Sequence, residues 1–286
     1  MNLLITGSGT LLGRNVSLEA AKKNFNVIAS YRKTFPKNLK KNKILITKLD
    51  LSKKFNFDFK VDCLIHCASA IPSENLSDKK MMNTNYYGFK KLVSQLIKNG
   101  CKKIIFISTM SVYGKINVSR VDLNTETKPI DSYGYSKLKS EQYLIKLNKE
   151  KKIDFFVLRL PALVGKNSNH NFISKVLKKI KNKDALIYSN PNLKFNNFIH
   201  VKNLSQIIIK LIKFRGSRIL NLASTNPIKL KNIIKLIYQF EKKQNIASIQ
   251  KSKKTGFNIK IDNFLRKKFN IFSTKKTLKL FLKDNL

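Results

Sequence analysis

The sequence predicts an α/β protein built on a doubly wound parallel sheet, and three observations carry that expectation. An apolar strand, a glycine-rich turn and a helix follow one another within the first 25 residues. Strand and helix patterns then alternate through about residue 160. The strands are continuous apolar runs, such as Leu3–Ile5 and Ile104–Ile107, as expected of strands covered on both faces. Alternation of this kind implies parallel strands joined by helical crossovers, with ligands bound at the carboxyl ends of the strands.

The first strand, residues 2–6, runs into T-G-S-G-T-L-L-G. Gly7, Gly9 and Gly13 let the backbone turn tightly and approach a pyrophosphate. Thr10 and Leu11 open a helix over Leu11–Lys23 whose N-terminus supplies free N–H groups and a positive dipole end. Strand, glycine turn and helix together favour dinucleotide binding over a merely structural turn. The second strand, Phe25–Tyr31, ends in Arg32-Lys33 where an NAD-binding chain is expected to carry a carboxylate for the ribose 2′-hydroxyl. That pattern suits a 2′-phosphate and points to NADP. NAD stays open, because a basic residue is the commonest charged occupant of any position in this chain.

Residues 34–42 read as a solvated lysine-rich loop, and Ile44–Lys48 as the third strand, followed by Asp50-Leu51. Val61–Cys67 is the fourth strand and continues as H-C-A-S-A, with His66 read as a packed core histidine. Ser73–Asn99 reads as one long helix around N-T-N-Y-Y-G, where Gly88 implies close backbone packing. The fifth strand leads to Ser108-Thr109. A helix runs from Tyr133 to about Lys149 after an N-terminal turn at Pro129–Ser132. Ile153–Leu160 is the sixth strand. Beyond Gly165 the alternation loosens into a helix to about Lys181, a short strand at Ala185–Tyr188, a helix over Leu204–Phe214, a strand over Arg218–Leu222 and basic amphipathic helices. The expected organisation is a dinucleotide-binding domain over 1–165, completed by segments around 197–222, and a substrate-binding lobe over 166–196 and 223–286.

Tyr133 and Lys137 lie one helical turn apart and share a face. Thr109 follows the fifth strand. A hydroxyl, a phenol and an ammonium so arranged suit proton transfer coupled to hydride transfer. The turn after strand one, Ala68, Thr109 and Pro161 all fall at the carboxyl edge of the expected sheet.

Composition adds limits. The net charge of +42 is compatible with a polyanionic partner, including a non-catalytic role on RNA. The lysines are nevertheless scattered along the chain, and Lys, Asn, Ile and Phe are abundant together, which favours a bias of residue usage over a nucleic-acid partner. The odd number of cysteines and the scarcity of histidine leave no zinc spacing and no expected metal site. No apolar run reaches the roughly 18 residues that span a bilayer, so a soluble cytoplasmic protein is expected.

With these residues in hand, the chain resembles the extended short-chain dehydrogenase/reductases, specifically the NAD-dependent epimerase/dehydratase family that acts on nucleotide sugars. The resemblance rests on T-G-S-G-T-L-L-G at 6–13, D-C-L-I-H-C-A-S at 62–69, N-Y-Y-G at 85–88, S-T-M-S-V-Y-G at 108–114, Y-G-Y-S-K at 133–137, L-R-L-P-A-L-V-G at 158–165 and F-I-H-V at 198–201. It implies a Rossmann-type sheet, with Tyr133 as general acid/base, Lys137 holding the nicotinamide ribose and lowering the tyrosine pKa, and Thr109 bonding the reacting oxygen. It implies that Gly7, Gly9, Thr10, Leu11, Gly13, Arg32, Asp50, Leu51, Cys67, Ala68, Asn85 and Pro161 line or shape the cofactor site. Ser111, His170, Asn171 and Asn196 fall on the substrate side. A homodimer through helices over 74–99 and 133–149, and a role in surface polysaccharide synthesis, are implied by the resemblance alone.

Two departures shape the expected chemistry. Dehydratases of the family place Asp-Glu after the catalytic threonine, whereas Met110-Ser111 stand here, which favours a 4-epimerase or 4-ketoreductase over a dehydratase. The family arginine that grips a diphosphate is replaced by Asn196, with Lys194 nearby, which leaves a reductase of a non-nucleotide carbonyl as the alternative.

Overall fold

The computed structural model describes residues 1–40, 44–251 and 256–286. Lys41 and Asn42 of the expected surface loop lie outside them. In chain order the first elements are β1 (Asn2–Thr6), α1 (Leu11–Lys22), β2 (Asn26–Tyr31), β3 (Leu45–Lys48), β4 (Cys63–His66), α2 (Asp78–Met82) and α3 (Phe89–Lys98). Next come β5 (Lys103–Thr109), β6 (Arg120–Val121), α4 (Ser132–Lys149), β7 (Asp154–Leu160), β8 (Ala162–Val164) and α5 (Phe172–Asn182). Then follow β9 (Ile187–Tyr188), β10 (Lys194–Phe195), β11 (Phe198–His200), α6 (Val201–Leu211), β12 (Arg218–Asn221), β13 (Ile228–Lys229) and α7 (Leu230–Phe240). The last are β14 (Ser248–Ile249), β15 (Asn258–Ile259), α8 (Asn263–Lys268) and α9 (Thr274–Asp284).

The chain divides into two compact units. The first comprises Met1–Lys115, Glu126–Arg159 and Ser205–Leu220. Its seven-stranded parallel sheet has the order β12-β7-β5-β4-β1-β2-β3. The chain winds outward from β1 to β2 and β3, then returns to the other side of β1 with β4, so the order reverses between β1 and β4. Leu4 of β1 pairs with Ile28 on one side and Leu64 on the other. These join Phe89, Leu92, Ile104 and Phe106 in one core beneath the helices. Strands buried on both faces explain why the apolar runs are unbroken in the sequence.

The helix expected over 73–99 is interrupted. Residues Pro72–Glu74 make a 3-10 turn closed by Asn75 at φ 49°, and the α-helix starts only at Asp78, capped by Ser77. A π-helical turn over Asn83–Gly88 then joins α2 to α3. Two contacts hold that wide turn: the Asn85 side chain bonds the backbone of Ala70, and Gly88 lies so close to Leu51 that a Cβ would stand 2.2 Å from its carbonyl oxygen. The close packing inferred at Gly88 is therefore real, and it bends the helix ladder.

The second unit comprises Ile116–Thr125, Leu160–Leu204 and Asn221–Leu286. Short two-stranded pairings build it: β6 with β15, β8 with β11 and β9 with β14 are parallel, and β10 with β13 is antiparallel. Val164, Ile173, Phe198, Ile234 and Phe281 form its core. Leu160–Leu204 falls in this unit, where β8 pairs with β11. Residues 116–125 belong to this unit too, because β6 pairs with a strand far along the chain.

Among the described residues no helix is long and apolar enough to cross a membrane. Among them, too, no group of His, Cys, Asp and Glu could hold a metal ion. Cys63, Cys67 and Cys101 are free thiols.

Candidate active site

At the carboxyl end of β1 the chain turns through Gly7, whose φ of 72° is left-handed and whose absent Cβ leaves room for the backbone of Ala68 at 2.8 Å. A side chain there would strain the backbone and drive the turn off β4. Thr10 caps α1: its hydroxyl donates to the Gly7 carbonyl at 2.7 Å and accepts from the Gly13 N–H at 3.3 Å. Gly7, Gly9, Thr10, Arg32, Leu51 and Ala68 line a cleft of ≈ 330 Å³ in the first unit. Leu11 and Gly13 lie in the first turn of the helix whose N-terminus opens beside it. The cradle fits a dinucleotide pyrophosphate, which needs backbone approach and a positive helix end.

Asp50 closes the turn after β3, accepting from the Ser52 N–H at 3.0 Å and the Ser52 hydroxyl at 2.6 Å. Burial pushes its carboxyl up, but the Ser52 bonds and the charges of Arg32 and Lys53 outweigh that and hold it below the usual range. Arg32 is not a free cation. Its guanidinium bonds Glu74 at 2.5 Å, and Glu74 lines the same cleft.

The chemistry-bearing groups meet at the end of β5. Thr109 ends that strand and caps the following 3-10 turn, accepting from the Ser111 N–H at 3.2 Å. Asp131 caps α4 through the Gly134 N–H at 2.7 Å and so starts the helix at Ser132. A Cβ on Gly134 would stand 2.5 Å from the Ser111 carbonyl, so its absence lets α4 close on the Thr109 turn. The Tyr133 phenol consequently lies within hydrogen-bonding reach of the Thr109 and Ser69 hydroxyls. Burial raises its pKa; the Thr109 and Ser69 bonds pull the other way without reversing the shift.

Lys137, 3% exposed, donates from Nζ to the Ile107 carbonyl at 2.9 Å and lies 4.8 Å over the Phe106 ring. Burial lowers its pKa to about 8, against the opposing influence of Cys67 and Glu141. The protein's own groups therefore leave Tyr133 a neutral phenol. Desolvation is the largest influence on the phenol, and what opposes it comes from Thr109 and Ser69.

Asn85, 2% exposed, ties these parts together. Its oxygen accepts from the Ala70 N–H at 2.8 Å and its amide donates to the Ser136 hydroxyl at 3.2 Å. It thus joins the chain after β4 to the first turn of α4. Cys67 remains a thiol, its pKa pushed up to about 12 by burial. His66 is a core residue: Nδ1 lies 2.9 Å from the Thr6 hydroxyl, its ring stacks on Phe106, and burial lowers its pKa well below the ordinary histidine value.

Pro161, His170, Asn171 and Asn196 belong to the second unit. Asn171 caps α5, accepting from the Ser174 N–H at 2.9 Å while donating to the Leu163 carbonyl at 3.0 Å. Asn196 is 1% exposed, and both ends of its amide are committed. It donates to the Ser224 and Ile259 carbonyls and accepts from the Ile259 N–H, each at 2.9 Å. Those bonds fasten β15 inside its unit.

Several contributors escaped sequence reasoning. Ser69 closes the H-C-A-S run and reaches Tyr133. Glu141, one turn beyond Lys137, forms a buried pair with Arg159 at 2.7 Å, and the same Arg159 donates to the Tyr113 hydroxyl at 3.0 Å. Ser108 also donates to Glu141. A charged residue inside an apolar strand was the available signal for Arg159; Glu74 gave none.

Comparison with known proteins decides the family. The model of the NAD-dependent epimerase/dehydratase family matches residues 3–223. The chain belongs to that family. It is an enzyme of the extended short-chain dehydrogenase/reductase type. Among curated relatives, a putative UDP-glucose 4-epimerase of Methanocaldococcus jannaschii is 24% identical over 82% of this chain and 81% of its own. The dTDP-4-dehydro-6-deoxyglucose reductase of Escherichia coli is 28% identical over 65% of this chain and 62% of its own. The UDP-glucose 4-epimerase of Thermotoga maritima, solved with UDP-glucose, superposes with a TM-score of 0.82 at 18% identity, covering 99% of this chain and 98% of its own. That last likeness bears on the fold.

Proposed function

We propose that this enzyme epimerises or reduces a nucleotide sugar at a secondary alcohol or its ketone, with a nicotinamide dinucleotide in the Gly7–Gly13 cleft and Tyr133 as the acid/base. One observation carries the reading: the Tyr133 phenol is hydrogen-bonded to Thr109 beside a buried Lys137, in the unit that holds the cleft. The epimerase and reductase relatives supply the substrate class.

The cofactor, when bound, accepts and returns the hydride. Tyr133 moves the proton at the substrate oxygen, taking it when an alcohol is oxidised and giving it when a ketone is reduced. Thr109 donates a hydrogen bond to the same oxygen and holds it against the phenol. Lys137 presents a buried ammonium whose position is fixed by Ile107, suited to the nicotinamide ribose. The turn Met110–Tyr113 carries no carboxylate, so the extra acid and base that 4,6-dehydration requires are missing there.

Burial keeps Tyr133 a protonated phenol, the form that reduction uses. His170 and Asn171 enter the proposal as substrate-side residues on resemblance. So does the homodimer, and a place in surface polysaccharide synthesis follows from the substrate class. The committed amide of Asn196 keeps a carbonyl substrate without a diphosphate as the alternative.

The test incubates purified protein with UDP- and dTDP-sugars and their 4-keto forms, with either dinucleotide, and follows products by NMR. Tyr133→Phe is expected to lose about 10²–10⁴ of the turnover while cofactor affinity persists. A fully active Tyr133→Phe enzyme overturns the mechanism. Absence of thermal stabilisation by every nucleotide sugar transfers the proposal to the alternative substrate.

A further inference from the structure

Arg32 and Glu74 are separated by 42 residues, yet they share an ion pair and line the same cleft as Gly7 and Thr10. Arg32 follows β2 and Glu74 follows β4, which flank β1 on opposite sides. The pair therefore spans the carboxyl end of β1. Acidic residues are scarce in this chain, 16 against 58 basic ones. Even so, Glu74 and Asp50 both stand beside Arg32.

We infer that Glu74 is the residue that selects NAD over NADP, supplying from the loop after β4 the carboxylate that β2 lacks. This rests on the dinucleotide reading of the cleft. A ribose 2′-hydroxyl is a donor and suits a carboxylate, whereas a 2′-phosphate calls for an unpaired guanidinium. Here the guanidinium is already engaged, and the Arg32 and Glu74 side chains are 28% and 25% exposed. A phosphate dianion would have to displace Glu74 and then face both carboxylates. Locally Arg32 and Lys33 are matched by Glu74 and Asp50. The overall charge of +42 does draw anions. Its reach is cut to about 8 Å at physiological salt, however, so the pair at the site decides.

The experiment measures binding of NAD⁺ and NADP⁺ by calorimetry at about 0.15 M salt for the native protein, Glu74→Gln and Arg32→Ala/Glu74→Gln. The native protein is expected to bind NAD⁺ about tenfold or more tightly than NADP⁺. Glu74→Gln should tighten NADP⁺ by about tenfold, and the double variant should lose that gain, because the freed Arg32 is what takes the phosphate. Dinucleotide released from the denatured native protein should be NAD. A native preference for NADP⁺, or a ratio unmoved by Glu74→Gln, overturns the inference and leaves the proposed reaction standing. Failure of the native protein to bind either dinucleotide overturns both.

Discussion

The Lys137 ammonium and the Ile107 carbonyl are 2.9 Å apart in the core of the first unit, so the cation one helical turn from Tyr133 is held by strand backbone and not by a carboxylate. Glu141 contributes to its charge balance but is itself committed to Arg159. A buried ammonium without a neutralising partner has a measurable energetic signature.

Lys137 has a folded pKa of about 8 against an ordinary value of 10.5. A lysine with a lowered folded pKa binds fewer protons folded than unfolded between those values, so its contribution to stability rises with pH across that window. Below about pH 8 the full cost of burying the charge is present, up to roughly 3 kcal/mol for a shift of this size. Lys137→Met is therefore expected to be inactive yet more stable than the native protein at pH 7. That advantage should shrink toward pH 10, as thermal unfolding at the two pH values would show. An equal stability difference at both pH values contradicts the charge argument.

Thr109 lowers the Tyr133 pKa through its hydrogen bond, against the upward push of burial. Thr109→Val removes the bond and keeps the shape. The pH at which alcohol oxidation switches on should move upward, since the base form of Tyr133 is needed, and the pH at which reduction falls off should move upward with it. The pH profile of kcat in each direction reads this out. An unmoved oxidation profile would detach Thr109 from the tyrosine.

The Glu141–Arg159 pair is almost wholly buried, with side-chain exposures of 1% and 7%. Removing one partner leaves an uncompensated charge, for which about 3–5 kcal/mol is a usual cost. Arg159→Met alone should therefore unfold at much lower urea. Glu141→Leu/Arg159→Met should recover most of the loss, and the double-mutant cycle gives the coupling.

For Asn196, whose amide is fully committed, Asn196→Leu should destabilise by about 2–4 kcal/mol, since buried backbone groups lose their partners. Its cost should appear in Tm, with KM changed little for whatever protein stays folded. A raised KM at unchanged Tm would return Asn196 to the substrate.

The parts legible in the sequence are those whose signal is local. The Gly7 turn, the unbroken apolar strands and the Tyr133–Lys137 spacing each report a backbone geometry or a periodicity within a few residues, and the structure places them accordingly. The π-turn at Asn83–Gly88 was not legible, because its helical periodicity continues while its cause lies at Ala70 and Leu51. The Arg32–Glu74 ion pair was not legible for the same reason: it is made by sheet order, which brings the ends of β2 and β4 to one edge. Two-residue strands such as β6 leave almost no pattern in the sequence.

The pairing of β6 with β15 also has a kinetic consequence. The Asn258 side chain donates to the Ser119 carbonyl 139 residues earlier. Closing so long a loop is entropically costly and slow. During synthesis at roughly 5–20 residues per second, the first unit has all its segments once Leu220 has been made. The segment 116–125 must still wait for Asn258 before it finds its partner strand. Until then an unpaired strand edge stays open on the nascent chain, and that interval is where chaperone binding or misassembly would act.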